Sequence, residues 1–150
     1  MRNFETIEDV IFFAIESEIQ SVEFYNRLAS AASAEAIKSL FSELMEEEKG
    51  HIVKLQYILD HHVELGYPVL NHRFSEEDYL PHVIPSPDVD VKEGLIIAIQ
   101  KEKSAIRLYN DLAEETQKQE FNKIFLLLAS EEAKHCLKFE SQYNALMTNH

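Results

Sequence analysis

The sequence predicts an all-α protein, an antiparallel four-helix bundle in which a long crossover joins the second helix to the third. The 150 residues include only three glycines and four prolines, and strand-like runs are few. Apolar residues recur at helical spacing in four segments. All four prolines and Gly66 fall between residues 66 and 89, so that the helical pattern is interrupted by one long segment.

The first two helices are predicted to form a hairpin. The first is expected over residues 6–32, with Thr6 as its N-terminal cap. The second is expected over residues 34–65, with Ser33 as a candidate cap and Gly66 as a stop signal.

The segment 66–89 is long for a loop inside a compact domain, but it has the length needed to cross a bundle from end to end. The third helix is then expected to start near Asp90, with Glu93 completing a capping box. The fourth is expected to start after Thr116, with Gln119 at the matching position, and to run to about residue 147.

Composition and charge limit the classes of partner. The formal net charge of −13 repels nucleic acids and anionic membranes. The N-terminus is acidic where a signal peptide needs basic residues, and no apolar run is long enough to span a bilayer. We therefore expect one cytoplasmic domain over residues 1–150, with no nucleic-acid or membrane partner.

The chain contains an internal repeat at an offset of 84 residues, which carries a Glu-x-x-His motif in each half. Glu48-x-x-His51 becomes Glu132-x-x-His135, because 48 + 84 = 132 and 51 + 84 = 135. A further glutamate lies 30 residues before each motif, at Glu18 and at 18 + 84 = 102. Four glutamates and two histidines from two helix pairs are the ligand set of a carboxylate-bridged dimetal site. The six candidate metal ligands are Glu18, Glu48, His51, Glu102, Glu132 and His135.

These six residues interrupt the apolar stripe of each helix at positions that face the core, near the midpoint of the helix. Buried carboxylates need compensation for lost hydration and mutual repulsion, and two divalent cations supply it. We expect Glu48 and Glu132 to bridge the metals, and Glu18 and Glu102 to be terminal ligands. The mixed oxygen and nitrogen set suits two iron ions, although manganese or zinc fits it as well.

The remaining polar residues near the motifs have less specific interpretations. Tyr25 and Tyr109 follow Glu18 and Glu102 by seven residues, and either pack in the core or donate to a ligand carboxylate. Cys136, the single cysteine, cannot form an internal disulfide and is expected as a small buried residue. Flanking acids expected on a solvated face are Glu46, Glu47 and Glu131. Histidines expected to be exposed or capping are His61, His62, His72 and His82.

The paired motifs resemble those of the rubrerythrin branch of the ferritin-like superfamily. The resemblance covers roughly residues 5–147 and rests on Ala14-x3-Glu18-x6-Tyr25, Glu47-Glu48-x-x-His51, Ala98-x3-Glu102-x6-Tyr109 and Glu131-Glu132-x-x-His135. It implies a ferritin-like bundle with a non-haem di-iron site that reacts with oxygen or hydrogen peroxide. It also implies a homodimer or larger assembly.

The sequence departs from the family pattern in two ways. Conventional rubrerythrins have a cysteine-ligated iron domain that supplies electrons, and a chain with one cysteine cannot form it, so an external electron donor is expected. They also place an additional carboxylate shortly after the ligand of the third helix, where this sequence has Ala105. Ferroxidase or oxidase chemistry therefore stays open beside peroxide reduction. The alternative is a non-catalytic module that binds or delivers metal.

Overall fold

A computed structural model describes residues 3–61, 69–80 and 88–148. The described residues form four long helices and one short strand pair, and this confirms the predicted all-α bundle. The elements in chain order are strand β1 (Asn3–Thr6), helix α1 (Ile7–Ala31), helix α2 (Glu35–Asp60), strand β2 (Val69–Ser75), a 3-10 turn (Glu76–Tyr79), helix α3 (Val91–Glu115) and helix α4 (Gln119–Thr148).

Side-chain caps set the starts of α1 and α3. Thr6 accepts a hydrogen bond from the Asp9 amide, and the Asp9 carboxylate accepts from the Thr6 amide. The Asp90 side chain accepts from the amide of Glu93 at the start of α3. Both capping residues, Thr6 and Asp90, are those predicted from the sequence. Each places a short polar acceptor next to amides that have no partner within the helix.

Three predictions about helix ends were wrong. α2 begins after Ala34, whose side chain makes no capping bond, rather than after a Ser33 cap. The same helix ends at Asp60 instead of residue 65. Thr116 ends α3 rather than starting α4, since its amide and its hydroxyl both donate to the carbonyl of Leu112. Gly66 and the four prolines lie outside the described residues.

The helices pack as two hairpins, α1 with α2 and α3 with α4, which meet through α1–α3 and α2–α4. Neighbouring helices run antiparallel. The end of α1 lies against the start of α3, where Leu28 contacts Gly94. The start of α2 lies against the end of α4, where the ring centroids of Phe41 and Phe139 are 5.3 Å apart.

The apolar core is divided into two clusters, one toward each end of the bundle. One contains the start of α1 and α4, the ends of α2 and α3, and the strand pair. The other contains the end of α1 and α4 and the start of α2 and α3. Between them, at mid-height, lies a layer of buried polar side chains. The hydrophobic clusters thus enclose a polar layer from above and below.

The strand pair is a feature that the sequence analysis did not predict, since the crossover was expected to have no regular structure. β1 and β2 are antiparallel, and Phe4 pairs with Phe74. Both aromatic side chains are buried, and Phe4 packs against Phe13 of α1 with ring centroids 5.3 Å apart. The pair therefore covers the end of the bundle where α1 begins. Among the described residues, no helix has the length and apolar character needed to cross a membrane.

Two helical glycines provide a matched test of the packing. A methyl group at Gly50 would meet no atom within 4 Å, whereas one at Gly94 would lie 2.6 Å from Cδ2 of the buried Leu28. We expect Gly50→Ala to raise the free energy of unfolding by roughly 0.5–1 kcal/mol through helix propensity. Gly94→Ala should lower it by about 1–3 kcal/mol through overpacking. Urea unfolding measures both, and a stabilised Gly94→Ala variant would show that α1 and α3 are less tightly packed than described.

Candidate metal centre

The polar layer brings together all six residues that the repeat singled out. Each helix contributes at its midpoint, and every one of these side chains is at most 2% exposed. α1 provides Glu18, α2 provides Glu48 and His51, α3 provides Glu102, and α4 provides Glu132 and His135. The i, i+3 spacing of each Glu-x-x-His motif places both side chains on the same inward face of the helix.

The imidazole of His51 marks one half of the layer. Its Nδ1 atom lies 2.7 Å from Glu132 Oε1, 3.4 Å from Glu48 Oε1 and 3.6 Å from Glu18 Oε2. One ligand atom from each of these four residues falls within 4.8 Å of the others. This spacing is compatible with one metal ion bound among them.

His135 occupies the repeat-related place in the other half. Its Nδ1 atom lies 3.0 Å from Glu48 Oε1, 3.5 Å from Glu132 Oε1 and 3.7 Å from Glu102 Oε2. Glu48 and Glu132 therefore belong to both groups of four. The two imidazole rings are stacked, with centroids 5.7 Å apart and an angle of 7° between their planes. The layer thus has the form of two adjoining four-ligand groups with two shared carboxylates.

The polar atoms at the centre of the layer are poorly satisfied by the protein. Nine buried side-chain nitrogen and oxygen atoms of the described residues make no hydrogen bond, and eight of them belong to these six side chains. They include both oxygens of Glu48, and Nδ1 of each histidine. Unpaired buried polar atoms are costly, and here they converge on one place. The donor set of carboxylate oxygen and imidazole nitrogen fits iron, manganese or zinc.

Electrostatics divides the carboxylates into two kinds. Burial raises the pKa of Glu48 and of Glu132 well above the ordinary value, and the nearby Glu18 and Glu102 raise it further. Burial also raises the pKa of Glu18, but close contact with Glu48 and His51 outweighs burial, so the net pKa is lowered. Protons shared within the layer thus reduce the repulsion among four adjacent carboxyl groups.

Each buried tyrosine hydroxyl donates to a carboxylate of the opposite hairpin. Tyr25 Oη lies 2.6 Å from Glu102 Oε1, and Tyr109 Oη lies 2.7 Å from Glu18 Oε1. Burial and the neighbouring carboxylates raise the pKa of both phenols well above 10, so that both remain protonated donors. The sequence placed each tyrosine two turns from the glutamate of its own helix. The structure pairs it instead with the glutamate of the antiparallel neighbour.

The acids that flank the motifs do not all lie on a solvated face, and the prediction for Glu131 was wrong. Glu131 is 24% exposed, and its Oε2 lies 2.7 Å from Nε2 of His51. Glu47 is 42% exposed and lies 3.6 Å from Nε2 of His135. The helical periodicity placed both outside the core, but α2 and α4 are neighbours and each acid faces the histidine across that boundary. Glu46 does lie on the surface, where it pairs with Lys49.

The other residues named from the sequence lie away from the centre of the layer. Cys136 is buried as predicted, and burial together with the Glu140 carboxylate raises its pKa to about 12. His61 is exposed and caps the end of α2. His62, His82 and the side chain of His72 lie outside the described residues.

The tyrosine contacts predict a stability loss that does not depend on metal. Tyr25→Phe or Tyr109→Phe leaves one carboxylate oxygen of Glu102 or Glu18 buried without its donor. Each variant should lose about 1–3 kcal/mol of unfolding free energy, measured by urea unfolding with a chelator present. Tyr57→Phe is the control, because its hydroxyl bonds to Glu120 at the surface. Equal losses in all three variants would contradict a special role for the two buried contacts.

Comparison with known proteins identifies a family and a shared fold. The family model described as Rubrerythrin matches residues 9–143. No curated protein sequence matches significantly. A hypothetical protein from Pyrococcus furiosus shares the fold with a TM-score of 0.80 and 26% identity, over 95% of this chain and 91% of that chain.

Two further structures show the same fold. A Thermotoga maritima protein, described as ferritin-like and diiron-carboxylate, has a TM-score of 0.77 and 24% identity, over 96% of this chain and 98% of that chain. A dodecameric thioferritin, the bacterioferritin-related protein from Bacteroides fragilis, has a TM-score of 0.73 and 19% identity, over 95% and 86% of the two chains. Because the family match extends over nearly the whole chain, this protein belongs to the rubrerythrin family.

Proposed function

We propose that this protein is a di-iron carboxylate redox protein, which binds two iron ions in the bundle core and reacts with oxygen or hydrogen peroxide. The observation that carries the proposal is the pair of overlapping four-ligand groups that share Glu48 and Glu132. Eight buried polar atoms of these groups converge on one place and make no hydrogen bond within the described residues. Two cations would satisfy them and offset the negative charge.

Glu48 and Glu132 belong to both four-ligand groups, which supports different roles for the shared and the unshared ligands. Glu48 and Glu132 would bridge the two ions, since their oxygens approach both histidines. One ion would also be bound by Glu18 and His51, and the other by Glu102 and His135. Bound iron supplies the one-electron steps by which oxygen or peroxide is reduced.

The surrounding residues orient these ligands. Tyr109 holds Oε1 of Glu18, and Tyr25 holds Oε1 of Glu102, so the Oε2 atoms are left facing the centre. Glu131 bonds Nε2 of His51, which leaves Nδ1 directed at the carboxylates. The apolar clusters pack against the layer from both ends of the bundle. Supports of this kind fix the geometry of ligands before metal binds.

Peroxide reduction and ferroxidase activity differ in the source of the electrons. Peroxide reduction consumes electrons, and the single cysteine of the sequence cannot form a cysteine-ligated iron donor, so a separate protein or small molecule would supply them. In ferroxidase chemistry the substrate Fe(II) is itself the reductant. A metal-delivery module would bind iron without turnover.

Metal loading tests the proposal directly. Anaerobic Fe(II) should bind at two ions per chain and raise the melting temperature, because ligands that bind only the folded state stabilise it. At about 100 times the dissociation constant each bound ion adds roughly 2.7 kcal/mol, or about 5–11 °C for a chain of this size. Glu48→Ala should lose the tight binding and the thermal shift. Glu46→Ala, on the exposed face of the same helix, is the matched control.

The outcomes separate the candidate functions. Oxidation of the loaded protein faster with peroxide than with oxygen supports a peroxide reductase, and the reverse order supports a ferroxidase or oxidase. Stable iron binding without oxidation by either supports metal delivery. Two ions retained by Glu48→Ala would falsify the assignment of the centre.

The two acids that contact the histidines, Glu131 and Glu47, are expected to affect metal affinity unequally. Glu131→Gln removes a charged partner 2.7 Å from His51, whereas Glu47→Gln removes a more exposed carboxylate 3.6 Å from His135. Loss of such a support typically weakens metal binding by roughly 10–100-fold. We expect an effect in this range for Glu131→Gln and a smaller one for Glu47→Gln, by chelator competition with Co(II). Equal effects from the two variants would contradict the asymmetry.

A further inference from the structure

A small cleft lies between α1, α3 and the 3-10 turn, and the buried Glu18 is one of its lining residues. Its volume is about 40 Å³. Space of this kind holds one water molecule in roughly 10–15 Å³, so about three waters fit. Five of its lining residues have small side chains, namely Ala14, Ser17, Ser21, Ser104 and Ala105. A cleft this small excludes organic substrates but has room for a molecule of two heavy atoms.

The cleft is one-sided, although the ligands themselves repeat. The repeat counterparts of Ser17 and Leu108, which line it, are Lys101 and Phe24, because 17 + 84 = 101 and 24 + 84 = 108. Lys101 extends toward Phe24, with Nζ 6.0 Å from the ring centroid. The lining includes Glu18 and Tyr109 but not their repeat counterparts Glu102 and Tyr25, so the cleft lies nearer to Glu18.

The charged residues that line the cleft indicate which kind of ligand it would accept. Only Glu18 and Lys101 carry charge among the lining residues, and the Lys101 ammonium makes no hydrogen bond or ion pair with the described part of the chain. A cation entering by this route would be repelled by Lys101. A neutral or anionic oxygen species would meet an amine and several serine hydroxyls, which are suitable hydrogen-bond donors.

We propose that this cleft is where the small oxygen species, hydrogen peroxide or dioxygen, binds and reaches the centre, beside Glu18 rather than Glu102. The inference rests on the proposed function and deepens it, because it assigns the oxidant to one side of the centre. The hydroxyl of Tyr109, which also lines the cleft, holds Oε1 of Glu18 at its inner end. The ligand would therefore meet a carboxylate whose position is already fixed.

Two filling variants from opposite walls test the cleft. Ser17→Leu on α1 and Ala105→Leu on α3 each add a branched side chain to it. Lys103→Leu places the same side chain on the exposed face of α3 and is the control. Three measurements apply to each variant, namely iron per chain after anaerobic loading, the affinity of the oxidised loaded protein for azide, and the rate of oxidation by peroxide and by oxygen.

We expect unchanged iron content, with azide affinity and oxidation rate lowered roughly tenfold or more in both filling variants, since a ligand must then displace packed atoms. If the oxidation rate falls with only one of the two oxidants, that oxidant is the one that occupies the cleft. Wild-type azide affinity and rates in both filling variants, with two irons bound, overturn the cleft and leave the proposed function standing. A wild-type protein that binds no iron overturns both.

Discussion

Four carboxyl groups buried at one height in a helical bundle are the constraint on which the rest of the structure depends. Glu18, Glu48, Glu102 and Glu132 would repel one another and lose hydration if all were ionised. The protein places two histidines among them, gives Glu18 and Glu102 a phenol donor each, and raises the pKa of the other two. The division of the apolar core into two clusters follows from making room for this layer.

The layer also joins the two hairpins. α1 and α3 belong to different halves of the repeat, and each tyrosine hydroxyl crosses from one to the other. Glu131 makes the corresponding connection from α4 to His51 on α2. A change in the packing of the hairpins would therefore shift the ligands, and a metal bound by all four helices would resist that change. In the proposed centre, bundle stability and metal affinity would be coupled through the same contacts.

Helical periodicity allowed the four helices and the convergence of the six polar residues to be predicted, because it fixes which face each residue occupies. It does not fix distances between helices. It therefore does not show that the hydroxyl of Tyr25 bonds to Glu102 on the antiparallel neighbour. Nor does it show that Glu131, which was expected on a solvated face, contacts His51. The strand pair escaped prediction for a similar reason, since it joins Phe4 and Phe74, which are far apart in the sequence.

Repetition of the ligands does not make the two halves of the centre equivalent. The Glu18–His51 half has a close supporting acid and the small cleft, whereas the Glu102–His135 half has a more distant acid and its glutamate does not line the cleft. These differences lie one layer outside the ligands, where substitutions leave the donor set unchanged. In the proposed centre, the oxidant would then approach the metal position whose histidine has the closer supporting acid. A duplicated hairpin can acquire separate roles for two identical ligand sets in this way, because their surroundings are free to diverge.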